Sequence, residues 1–236
     1  EEATSADAHP PHPELYGPDG SPTLRPVDKR NPMPVAPPRW GGPTPWGAKP
    51  PRPPLRWRLQ MHLNRLIGKA MRFPDISVPV EAGDRLRLGG REWFIMHTPG
   101  HTNDHICLHC PEEGLFLAGD HVLPSITPHI SGLSLEEDPL EAFFQSLDRA
   151  AAIPHVDQAL PAHGHPFPDL AARCVAIKEH HQERLGKIRD IGHDIGPSSV
   201  EAFSEQLFRK RSWGSMAQSE TYAHLEHLRR RGEAAS

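Results

Sequence analysis

The chain has 236 residues, a hydrophobic fraction of 36%, a formal net charge of −4 and three cysteines, a size that allows one or two domains. No run of about 18 apolar residues is present, so no transmembrane helix is expected, and the acidic balance argues against a broad nucleic-acid-binding surface. Cys107, Cys110 and Cys174 make no disulfide framework, and no signal peptide is visible, which together suggest a reducing cytoplasm.

Residues 1–54 hold 16 of the 28 prolines. Such a segment runs neither as regular helix nor as central strand, and it reads as an extended loop segment pinned by Trp40 and Trp46. From 55 to 72, Leu55, Leu59, Leu63, Leu66, Ile67 and Ala70 recur at helical spacing, with Arg56, Arg58, Arg65, Lys69 and Arg72 on the other sides, which predicts an amphipathic helix with a basic face. The texture then changes. The runs 76–80, 86–88, 93–96, 106–108 and 115–117 are short and strand-like, and Gly83-Asp84, Gly89-Gly90 and Glu113-Gly114 separate them as turns, so a mostly antiparallel meander is expected. Cys107 and Cys110 are three apart on a strand and point to opposite faces, which suits buried apolar residues rather than chelation or redox chemistry.

Asp138 as N-cap, Pro139 at the first helical position and Glu141 completing a capping box open a helix over 139–152, with Leu140, Phe143, Phe144 and Leu147 on its core face. Pro154 ends it, and a strand is expected over 156–160. A second helix follows over 170–191. Ser198-Ser199-Val200-Glu201 reads as a further capping box, and a last helix carries Tyr222, Leu225 and Leu228, with Gly232 at its end.

Three turns follow strand-like runs and each offers a metal ligand: His97-Thr98-Pro99-Gly100-His101-Thr102, Gly119-Asp120-His121 and Pro161-Ala162-His163-Gly164-His165. Imidazole, carboxylate and imidazole suit zinc or a similar divalent ion, and the Gly and Pro beside each ligand fix a tight turn. Histidines elsewhere are read more plainly. His97, His105 and His165 are expected to support the site, and His121 to face the pocket or cap its turn. His129, in the loop after the Asp120 turn, is a candidate for orienting substrate or donating a proton. His180, His181, His224 and His227 are expected to be solvated on helices.

The Thr98-Pro99-Gly100-His101 turn, the Gly119-Asp120 pair and the Pro161-Ala162-His163-Gly164 turn resemble, in order and spacing, the third, fourth and fifth motifs of the metallo-beta-lactamase superfamily, most of all its lactamase-B2-like and glyoxalase-II-like branches. The resemblance implies an α+β fold: an αβ/βα sandwich with metals at one edge, its domain over 55–170, followed by a small helical tail over 171–236 similar to a winged helix. It implies that His101 completes the ligand set of a first zinc, that Asp120 bridges two zinc ions and acts in catalysis, and that His163 serves the second. The bridged pair would lower the pKa of a shared water and hydrolyse an ester- or thioester-like small substrate. It also makes the basic helix over 55–72 a possible lid. The family's upstream His-x-His-x-Asp-His motif is absent; His9-Pro10-Pro11-His12 has the wrong spacing. Since the chain opens on Glu1, truncation is the expected reason, with weak metal binding by this chain alone as its consequence. Two other readings stand beside the hydrolase: an RNA- or phosphodiester-cleaving nuclease of the same fold, and a non-catalytic, metal-free homologue.

Overall fold

Among the described residues, short apolar runs broken by glycine turns fold into a five-stranded sheet. In the computed structural model, which describes residues 44–48, 55–66 and 79–234, the elements in order are α1 (Leu55–Leu66), β1 (Arg85–Leu88), β2 (Arg91–His97), β3 (Ile106–Cys110), β4 (Leu115–Gly119), α2 (Pro139–Ala151), β5 (Gln158–Pro161), α3 (Leu170–Ile195), α4 (Val200–Leu207) and α5 (Ser215–Arg230), with a 3-10 turn at Lys210–Ser212. This is a mixed α+β fold. The described residues gather into two units: 79–128 with 142–180, and 44–48, 55–66 and 129–141 with 181–234. His9, His12, Trp40, most of the Pro-rich segment, residues 67–72 of the predicted first helix and Ile76–Val78 lie outside the described residues.

In the first unit the sheet order is β1-β2-β3-β4-β5. Pairing is antiparallel from β1 through β4 and parallel between β4 and β5, because α2 lies between β4 and β5 in the chain and makes the long crossover that a parallel pair requires. It follows that β2, β4 and β5 run in the same direction and end at one edge of the sheet. Gly89 and Gly90 take φ of 60° and 78°, the left-handed pair that a two-residue hairpin between β1 and β2 demands. β5 starts two residues later than the predicted 156, since the N–H groups of Asp157 and Gln158 both donate to Gly114 O, at 2.7 and 3.0 Å.

Alternation fixes which side chains are inside. Phe116 and Ala118 on β4, and Trp93 and Ile95 on β2, are buried. Cys107 and Cys110 are both fully buried and free, so at β3 the sheet is covered on both faces. α2 brings Phe143, Leu147 and Ala150 into this core. Asp138 Oδ1 accepts the Glu141 N–H at 3.0 Å, the cap that the sequence predicts. α3 carries Leu170, Cys174 and Ile177 in the first unit and His181, Leu185 and Ile188 in the second, all buried at three- and four-residue spacing.

In the second unit the tail is helical, and among the described residues after Ile195 there is no strand. The α4 cap is Ser199, not Ser198: its side chain accepts the Ala202 N–H at 3.2 Å, while Ser198 Oγ donates to Ile195 O at 3.3 Å. α3 also extends four residues beyond the predicted 191. On α1, Leu55, Leu59 and Leu63 are exposed, although their spacing suggested a core face.

Candidate metal centre

Three turns at the shared edge of β2, β4 and β5 carry His101, Asp120 and His163. Adjacent strands lie roughly 4.8 Å apart, so β2 stands about 10 Å from β4 and its turn must lean across the end of β3. His105, just before β3, bridges that gap. Its Nε2 accepts the backbone N–H of Asp120 at 3.1 Å, and its Nδ1 stands 2.7 Å from Thr98 Oγ1. Since Nε2 accepts, Nδ1 carries the proton and donates to Thr98, so the ring is neutral. Partial burial, then the proximity of His101, lowers its pKa in keeping with this state. One imidazole thus ties the first turn to the second.

Glycine is required on both sides of this clamp. Gly119 takes φ of 53°, and a Cβ there would stand 2.6 Å from His105 Nε2. Gly100 takes φ of 133°, and a Cβ there would meet the Phe143 Cβ at 2.4 Å. The first turn therefore sits directly on α2, where the buried Ser146 hydroxyl also reaches Pro99 O, at 2.7 Å. The third turn is fixed by Ala162 N–H donating to Gly119 O at 2.9 Å, and by Ala159 and Phe167 exchanging two backbone hydrogen bonds, which leaves His163 near the tip of a narrow hairpin.

Built this way, the three predicted ligands meet around one carboxylate. His163 Nε2 is 3.3 Å from Asp120 Oδ1, and His101 Nε2 is 4.0 Å from Asp120 Oδ2. Each carboxylate oxygen faces a different imidazole. Ligand atoms about 2.0–2.2 Å from one tetrahedral ion stand roughly 3.4 Å apart, close to the His163 spacing, and the opposed oxygens suit a bridging carboxylate. The donor set therefore fits zinc-like ions. The Asp120 side chain is 33% exposed and that of His163 69%, so the donor atoms are open to solvent.

The neighbouring histidines divide by position. His97 Nε2 lies 2.7 Å from Asn103 O, inside the first turn, and His165 is exposed. His121 is fully buried, its ring edge-on to Phe143 at 5.1 Å. Burial lowers its pKa to about 3. His129 belongs to the second unit, where its Nδ1 stands 3.4 Å from Glu220 Oε2.

The expectation of solvated helical histidines fails for three of four. His180 is exposed, but His181 and His224 are fully buried and His227 nearly so, its Nδ1 2.9 Å from Asp138 Oδ2. A signal was present in the chain: His181 falls in the Leu170, Cys174, Ile177, Leu185, Ile188 seam, and His224 falls between Ala217, Thr221 and Leu228 at helical spacing.

Comparison with known proteins agrees with the fold. The family model described as metallo-beta-lactamase superfamily matches residues 24–199. A hydroxyacylglutathione hydrolase of Maricaulis maris is 37% identical over 92 residues, covering 39% of this chain and 34% of that protein. One from Cereibacter sphaeroides is 31% identical over 142 residues, covering 58% and 53%. The chain thus spans about half or less of the length of these relatives. Among solved structures, a metallo-beta-lactamase family protein of Thermus thermophilus is 30% identical, with a TM-score of 0.60 over 77% of this chain and 62% of that one. A beta-lactamase domain protein of Burkholderia ambifaria is 28% identical, with a TM-score of 0.63 over 75% and 56%. With three motif turns meeting at one sheet edge and a family match over most of its length, this chain belongs to the metallo-beta-lactamase superfamily.

Proposed function

We propose that this chain carries part of the active site of a metal-dependent hydrolase acting on a small thioester of the acylglutathione kind. The observation that carries the reading is Asp120, whose two carboxylate oxygens face His163 Nε2 at 3.3 Å and His101 Nε2 at 4.0 Å. The hydroxyacylglutathione hydrolases among its relatives support the substrate class. In this reading His101, Asp120 and His163 hold a pair of zinc ions, which when bound supply an activated water near neutral pH and polarise the substrate carbonyl.

The chain's own residues set the stage for that chemistry. Asp120 presents one oxygen to each side, and its negative charge offsets the repulsion of two cations. The position of Asp120 is held from behind by His105, so the carboxylate need not reorganise when its ligand arrives. Gly119 leaves the room in which His105 sits. His163, exposed at its hairpin tip, lies on the side from which a substrate can approach.

The test is hydrolysis of an S-acylglutathione by the complete gene product. Asp120→Ala is expected to lower kcat/KM by about 100-fold or more with an unchanged circular dichroism spectrum. Unchanged turnover in that variant contradicts the reading.

A further inference from the structure

The second unit holds another set of donor groups, apart from the Asp120 centre. His181 from α3 and Glu220 and His224 from α5 each offer a ligand atom, and these atoms all lie within 4.8 Å of one another. Both histidines are fully buried. Glu220 and His224 are four apart on one helix and so share a face.

The hydrogen bonds fix the state of the rings. His224 Nδ1 stands 2.7 Å from Glu220 O. A carbonyl only accepts, so Nδ1 carries the proton, and the lone pair of Nε2 points toward His181 Nδ1, 3.0 Å away. A ring tethered to a backbone carbonyl through one nitrogen and presenting the other is how proteins orient a metal-binding imidazole. Burial lowers the His224 pKa to about 4, so the ring is neutral at pH 7, the form a metal requires. Two imidazole nitrogens on one tetrahedral ion stand roughly 3.3 Å apart, a few tenths of an ångström more than the spacing between these two rings. The third donor is charged: Glu220 is held below the ordinary carboxylate range, because the His129 hydrogen bond and the Arg184 guanidinium outweigh the opposing effect of its burial. Arg184 pairs with Oε1, and Oε2 lies 3.4 Å from His129 Nδ1.

We propose that His181, Glu220 and His224 form a binding site for one divalent transition-metal ion of the zinc type, distinct from the centre at Asp120. The ion takes the place of the proton shared by the two rings. His181 moves that proton from Nδ1 to Nε2, a change of tautomer that releases nothing, and Nδ1 becomes a ligand beside His224 Nε2. Glu220 keeps Arg184 on Oε1 and His129 beside Oε2, and a remaining carboxylate lone pair goes to the ion. The guanidinium also repels the ion, so replacing it with a neutral residue strengthens binding.

The full chain carrying His101→Ala, Asp120→Ala and His163→Ala isolates this site, with Co²⁺ as the probe. The expected result is about one Co²⁺ per chain with a visible absorption band, lost on adding His224→Phe and bound more tightly on adding Arg184→Gln. No binding, or a band that survives His224→Phe, overturns the proposal. The unaltered chain gives a check that needs no variant. During zinc titration, long-range ¹H–¹⁵N spectra should show the His181 and His224 ring nitrogens shifting together to saturation. Rings that stay in place at saturating zinc overturn it as well.

Discussion

His105 ties together two of the turns that carry the candidate ligands. Its ring bonds to both Thr98 and the backbone of Asp120, so replacing it with Phe removes that link between two ligand turns. The Asp120 N–H then loses its partner, at a cost of about 1–3 kcal/mol if no water replaces it. Zinc affinity at the Asp120 centre should fall about 10- to 100-fold, measured by competition with a chromophoric chelator. The pattern of histidines also sets an acid sensitivity. His121 and His224 have pKa values lowered by burial to about 3 and about 4. In the unfolded chain both rings take up a proton near pH 6.5 and in the folded one they do not, so stability is full above that value and falls as pH drops toward 4. Between pH 8 and pH 5 each contributes a loss of about 2 kcal/mol. Urea midpoints with metal removed should therefore decrease over that range, and His224→Gln should flatten the dependence.

At the scale of elements, Asp138 joins a helix start to a histidine. Its Oδ1 caps α2 through the Glu141 N–H and its Oδ2 meets His227 Nδ1 at 2.9 Å. Burial alone would raise its pKa, but these hydrogen bonds outweigh that and hold the carboxyl below its ordinary value. Asp138→Ala should lower stability by about 1–3 kcal/mol, read from chemical unfolding, and Asp138→Asn should recover the cap share. The cap was legible because Asp-Pro-x-Glu has few other uses. The buried partner was not: His227 stands among Glu226, Arg229 and Arg230, and local composition suggests water around it. Whether such a histidine turns inward depends on which helix face is covered, a fact of tertiary packing that neighbouring letters do not carry. His181 was more accessible to reasoning, since it continues an apolar seam begun at Leu170. For the strands, turn glycines marked the ends well, and the late start of β5 came from two N–H groups sharing Gly114 O, a long-range bond.

Across the whole molecule, the strand directions bring distant candidate ligands together. His101, Asp120 and His163 are 19 and 43 residues apart in turn, yet β2, β4 and β5 end at one edge and deliver all three to it. These three side chains could be singled out in the sequence because each sits in a Gly- or Pro-marked turn after a strand, and the structure brings those turns to one edge. The clamp through His105 and the seating of Gly100 on Phe143 were not, since both are contacts made only once the sheet has formed. Anomalous diffraction from a zinc-soaked crystal of the chain reads directly whether these three side chains share metal. A zinc peak is expected within about 2.2 Å of an Asp120 carboxylate oxygen and of His101 Nε2 or His163 Nε2. An ordered crystal at saturating zinc with no peak beside Asp120 rules that sharing out.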